Sequence, residues 1–266
     1  MELRQRALEV LCLCDPIEKA TAAMHMHAQA GQWAIAEHAP ALDAGTELPG
    51  RPARPELVDH TAVARRSPAT PQGRIILMHA IAHIEFNAIN LALDAIWRFD
   101  GMPPQYYGDW LQVAGEEGKH FLLIRDWLLA QGHDYGDFPA HQGLWSMCER
   151  TADDVTARMA LVPRTLEARG LDATPQIQTK LRQTGAADAL AAVDILDIIL
   201  REEVGHVAIG NNWYRFLCQR NNLDPQPHYT ALAQKYDAPR ARPPFNTSAR
   251  KAAGFTEEEI AWLEQH

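Results

Sequence analysis

Glu116-Glu117-Gly118-Lys119-His120 and Glu202-Glu203-Val204-Gly205-His206 repeat one pattern, Glu-Glu-x-x-His, in widely separated parts of the chain. On an α-helix, residues three apart lie about 60° apart on one face. Glu117 with His120, and Glu203 with His206, therefore each present a carboxylate beside an imidazole. With 17 Glu and 12 His in the chain, chance alone gives about one Glu-x-x-His, so a single copy carries little weight. Two copies, each mid-way along a long segment of helical period, are much harder to obtain by accident. The competing reading, solvated glutamates beside two core-edge histidines, explains one copy better than a matched pair.

Outward from these motifs, helix signals dominate and strand signals are nearly absent. Four long segments are predicted as helices. Segment A, Gln72 to Phe99, opens at Thr70-Pro71 and is rich in Ile, Leu, Ala and Met. Gly101 and Pro103-Pro104 end it and start segment B, which runs to about Ala130. Segment C runs from about Thr151 to Arg169, with Thr151 and Asp154 as caps, and Pro163 inside it predicts a kink or bulge. A short helix from Pro175 to Arg182 precedes segment D, about Ala186 to Gln219. Shorter helices are expected from Glu2 to Leu13 and from Pro16 to Gln29, the latter capped by Asp15 with Glu18 completing the box. Residues 39–71 hold six prolines and read as an extended arm wrapped over the domain. Residues 131–150 lack clear periodicity. A proline-rich tail around Pro243-Pro244-Phe245-Asn246 ends in a small helix capped by Thr256 and Glu259. Short A–B and C–D links with a longer B–C stretch predict two antiparallel pairs joined by one crossover.

The test of the paired motifs is whether segments A and C each add a carboxylate. Glu85 is the only glutamate between Glu56 and Glu116, and Met78, Ile81, Ala82, Ala88, Ile89 and Ala92 are its helical neighbours. A lone carboxylate in an apolar stripe is costly unless paired or bound to a metal. Segment C offers Glu167, with Glu149 as the competitor. Glu85 precedes Glu117 by 32 residues and Glu167 precedes Glu203 by 36, a repeated helix pair that Glu149 would break. The expected metal ligands are Glu85, Glu117, His120, Glu167, Glu203 and His206. Four carboxylates and two neutral imidazoles balance two divalent ions, the ligand set of di-iron and di-manganese bundles. Hard oxygen ligands with one nitrogen per metal suit iron, with manganese as the alternative, better than copper or structural zinc. Glu116 and Glu202 are candidates to accept the N–H of the opposite histidine ligand and fix its tautomer; a solvent-facing role is the equal alternative. The expected fold is all-α, a ferritin-like four-helix bundle with extra N-terminal helices and proline-rich arms. It is read as a single domain over 1–266, with the bundle core at about 71–219.

Bulk properties agree. At 266 residues and 47% hydrophobic, the chain can bury a sizeable core, and a net charge of -9 argues against an open basic nucleic-acid surface. Cys12, Cys14, Cys148 and Cys218 form no Cys-x-x-Cys pair for zinc, rubredoxin-type iron or redox chemistry, and a reducing cytoplasm is the simplest reading. No stretch near Met1 reads as a secretory signal, and Asp188, Asp194 and Asp197 interrupt the apolar run from Ala186 to Leu200. His83 lies 200° from Glu85 around segment A, so His79 and His83 are expected to pack or hydrogen-bond rather than join the metal site. The tryptophans and tyrosines read as core residues.

The stretches His79-Ala80-Ile81-Ala82-His83-Ile84-Glu85, Tyr135-Gly136-Asp137-Phe138-Pro139-Ala140-His141, Leu166-Glu167-Ala168-Arg169-Gly170-Leu171-Asp172 and Glu202 to Gly210 resemble the bacterial ferritin-like family of unknown function numbered 455. The resemblance covers most of the chain, including the arm and the tail. It implies kinship with rubrerythrins and di-iron tRNA hydroxylases, hence their fold and site, and it strengthens Glu167 as a ligand. The leading expectation is a di-iron oxidoreductase that activates dioxygen or peroxide to oxidise an organic substrate, with electrons from an external donor. Ferroxidase, metal-handling or peroxide-detoxifying activity is the first alternative. A hydroxylase of modified tRNA is the second, with Arg240, Arg242, Arg250 and Lys251 as its phosphate contacts. Expected partners are a small-molecule substrate and a reductase, with no membrane; homo-oligomerisation is left open.

Overall fold

A polar cap, a first-turn proline or both open each of the first four α-helices of the computed structural model, which describes residues 2–35, 43–59, 62 and 66–265. α1 (Leu3–Leu11) follows Glu2, whose carboxylate accepts from the Gln5 amide. α2 (Pro16–Ala28) follows Asp15, whose carboxylate accepts from the amides of Ile17 and Glu18. α3 (Pro71–Arg98) follows Thr70, whose hydroxyl accepts from the Gly73 amide, and α4 (Pro104–Ala130) begins on Pro104. A first-turn proline sacrifices no helix hydrogen bond, and the cap satisfies donors that the helix cannot. All four helices lie within a residue or two of their predicted bounds. Among the described residues the regular structure is helical, the only β-pairing being two isolated bridges. The chain is all-α, and it divides into two compact units, Met1–Trp145 and Ser146–His266.

In the first unit α3 and α4 run antiparallel. Tyr106 donates to the Ala95 carbonyl near the turn, and the Phe86 and Phe121 rings meet at 5.8 Å further along. α2 crosses α4 so closely that a Cβ on Gly118 would stand 2.7 Å from the Ala20 carbonyl oxygen, and one on Gly115 2.4 Å from the His27 Cβ. Residues 43–59 contain no helix, as expected of the arm; residues 36–42, 60, 61 and 63–65 lie outside the described residues. The Val58 amide donates to Ala140 and the Ala140 amide to Glu56, while the Gly50 amide donates to Leu11. Lys19 ties α2, the arm and α3 together. It is wholly buried and donates to the Gly50 carbonyl at 2.7 Å and to Asn90 Oδ1 at 2.6 Å. Burial pulls its pKa down to about 7. α3 alone among the described helices is long and apolar enough to cross a membrane, but 72% of that window is buried. It also buries Asn90 and Asp94 completely, which fits a core helix.

The second unit departs from the predicted pattern in instructive places. Segment C begins at Asp154, which caps α6 (Val155–Leu161) by accepting from the Ala157 amide. Thr151 instead closes α5 (Gly143–Arg150), donating to the Met147 carbonyl. α5 spans two turns, too few to show a period in sequence. Pro163 opens out the helix as predicted: Val162–Glu167 form a π-helical segment. Pro175, by contrast, does not start a new helix but lies inside α7 (Ala168–Thr184), which ends on Gly185 with φ of 65°. Pro175 lacks the N–H that would reach the Leu171 carbonyl, and the Asn246 side chain donates there instead, at 3.1 Å. α8 (Ala187–Arg220) matches segment D. The tail forms α9 (Pro225–Lys235) and α10 (Thr247–Ala252), both unexpected, and the predicted α11 (Glu257–Gln265). Thr256 and Glu259 make the expected capping box, each side chain accepting from the other's amide. The tail is clamped by Arg250 on Asp172 at 2.6 Å and by Asn211 donating to the Ala253 carbonyl. Cys12, Cys14, Cys148 and Cys218 are all free thiols.

Candidate metal centre

In the first unit the antiparallel register of α3 and α4 brings Glu85 level with His120, one helical turn from Glu117. All three are buried, Glu117 and His120 completely. His120 Nδ1 lies 3.3 Å from Glu85 Oε2 and 3.4 Å from Glu117 Oε2. Each residue offers one ligand atom, and these atoms fall within 4.8 Å of one another. Both contacts are longer than the 2.7–2.9 Å or so usual for a charge-assisted hydrogen bond. They match a coordination polyhedron better: two ligand atoms each about 2.1 Å from one ion sit roughly 3.3 Å apart at near-tetrahedral angles. Two carboxylate oxygens and one imidazole nitrogen, shielded from water and aimed at a common point, can hold a divalent cation.

The charges of this trio are unbalanced without a cation. Burial and the neighbouring Glu117 charge push the Glu85 pKa up to about 8. Burial favours neutral His120, but the neighbouring Glu117 and Glu85 carboxylates outweigh it and raise its pKa well above the histidine range. In the metal-free chain, protons therefore occupy the place of a cation.

The second unit repeats the motif geometry. On α8, His206 Nδ1 lies 3.4 Å from Glu203 Oε1, the same separation as in the first copy, and His206 is completely buried. Glu167 is buried at the end of the π segment. Its height is set by Pro163, which packs on Gly210: a Cβ there would stand 2.4 Å from the proline Cβ. Glu167 stands four residues on from Pro163, and His206 four back from Gly210. Glu149, the competitor, is exposed on α5.

Glu116 accepts from Gln112 on its own helix at 3.1 Å, and Glu202 lies 3.7 Å from Arg201. His79 and His83 hydrogen-bond, as expected: His79 Nε2 accepts from the Gly136 amide, and His83 Nδ1 lies 2.8 Å from the Tyr135 hydroxyl. Burial lowers both imidazole pKa values to about 4, so they are neutral. Sequence reasoning missed Arg164, in the π segment, whose guanidinium bonds Asn211 and Glu259. Its partners lie 47 and 95 residues away, and no local pattern marks them.

A family model described as "Protein of unknown function (DUF455)" matches residues 12–261. The chain belongs to this family. The match encloses all six candidate ligands. A relative from Haemophilus influenzae, described as "Uncharacterized protein", is 51% identical over 219 residues, covering 80% of this chain and 75% of the relative. No solved structure matches the chain.

Proposed function

We propose that Glu85, Glu117, His120, Glu167, Glu203 and His206 hold two iron ions, with manganese as the alternative metal, at the centre of a ferritin-like bundle formed by α3, α4, the α6–α7 run and α8. The observation that carries this reading is the repeated motif geometry: in both copies a buried imidazole Nδ1 stands 3.4 Å from the carboxylate three residues before it. Such a pair of ions supplies Lewis acidity and reversible electron transfer, which activate dioxygen or peroxide. The protein's side chains do the rest. Four carboxylates neutralise the ions and burial keeps bulk water from the reacting oxygen species. His120 and Glu85 give up protons as metal enters. Oxidation of an organic substrate, with electrons from a separate reductase in the cytoplasm, accounts for the lack of a Cys-x-x-Cys pair.

Metal analysis of protein purified from its native host tests the reading. About two iron or manganese ions per chain are expected, falling by more than one in Glu117→Ala and in Glu203→Ala, because each ion's loss leaves the other over-charged. Glu149→Ala keeps both ions. A chain that binds no metal, or that keeps two ions in both Glu85→Ala and Glu167→Ala, overturns the proposal.

A further inference from the structure

Arg164 sits three residues before Glu167, inside the π segment, and it is nearly sealed from water. Its guanidinium donates to Asn211 on α8 and to Glu259 on α11, the latter at 2.6 Å. It packs 4.7 Å over the Phe255 ring and about as closely over Tyr229 and Tyr214, at 5.4 and 5.5 Å. The other oxygen of Glu259 takes Arg215 at 2.9 Å, and Arg215 also donates to the Gly254 carbonyl. One tail carboxylate thus grips both the π segment and α8.

A π turn holds one residue more than an α turn, and it survives only where side chains compensate. Here Pro163 has no N–H to give, the Thr165 hydroxyl donates to the Ala160 carbonyl at 2.8 Å, and Gly210 leaves room for the proline ring. Relaxation to an α turn would rotate all that follows by about 100° relative to α6 and swing Glu167 off the face it shares with Pro163. Arg164 lies in the widened turn, so its anchor resists that rotation.

We propose that Arg164 and Glu259 are positioning residues: the tail holds the π turn and thereby aims the Glu167 carboxylate at the metal. This rests on the metal-centre reading above. The test loads the full chain with cobalt(II) and follows both its visible spectrum and its loss to excess chelator. Glu259→Gln is expected to release metal at least tenfold faster and to shift the cobalt bands, while the metal-free variant unfolds within a few degrees of wild type. Arg215→Ala, which loosens Glu259 on its more exposed side, changes both readouts less and in the same direction. Glu257→Gln breaks the exposed tail pair with Lys251 and leaves both readouts at wild-type values. Wild-type release and spectrum in Glu259→Gln overturn the proposal, as does an equal effect in Glu257→Gln. A wild-type chain that takes up no cobalt overturns the metal reading itself and this inference with it.

Discussion

Glu85 carries the sharpest consequence of burial at a single residue. Its folded pKa, about 8, lies above its unfolded value, so between roughly pH 4.3 and 8 the folded metal-free chain binds more protons than the unfolded one. Stability then falls as pH rises through that window. His120 has the same sign, its pKa being raised, so its contribution is present in acid and lost as pH rises through the folded value. Glu85→Gln does not titrate. Urea unfolding of the chelator-treated proteins should show the variant gaining on wild type from pH 5.5 to 8.5, by on the order of 3 kcal/mol. A gap that stays constant or narrows with rising pH contradicts the account. Glu85 was legible because it is a lone carboxylate in an apolar stripe, and the motif pairs because a three-residue step is a local helical fact. Arg164 was not, because its meaning lies in contacts with α8 and the tail.

At the scale of elements, prolines and glycines separate what local chemistry decides from what packing decides. In sequence Pro163 lies inside segment C, whereas Pro175 reads as the start of a short helix. One widens its helix and the other is absorbed, because Asn246 supplies the donor that Pro175 removed. That donor is remote, so α7 read as two pieces. α9 and α10 went unread because short helices on a tail show too little period, although Asp224-Pro225 and Asn246 are ordinary caps. The glycines of α8 divide similarly. A Cβ on Gly205 meets nothing within 4 Å, whereas one on Gly210 collides with the Pro163 ring. Gly205→Ala should therefore stabilise the metal-free protein by about 0.5–1 kcal/mol through helix propensity. Gly210→Ala should destabilise it by about 1–3 kcal/mol through overpacking. Thermal unfolding decides, and equal shifts for the two would show that the π segment does not depend on that close approach.

For the whole molecule, the two compact units and the proposed centre make a joint prediction. Glu85, Glu117 and His120 belong to one unit, and Glu167, Glu203 and His206 to the other. If they serve one pair of ions, metal binds only the folded chain and ties the unfolding of the two units together. Calorimetry should give one transition for the loaded protein. After chelation the midpoint should fall, with the transition broadened or split. An unchanged midpoint and shape across pH 6 to 8 would count against a shared centre. All-α architecture and the long helices were legible from caps and periodicity. The division into two units was not, because nothing in composition changes at residue 145.

The repair of α7 by Asn246 also orders events in time. The Leu171 carbonyl waits for a partner 75 residues further along the chain. Ribosomes add about 5–20 residues per second, so α7 spends several seconds with that carbonyl open to water. The contacts of the first unit, by contrast, lie within residues 2–145 and can close while the second is still being made. Synthesis thus finishes α7, the helix that follows Glu167, only after the half holding Glu85, Glu117 and His120 has had time to fold.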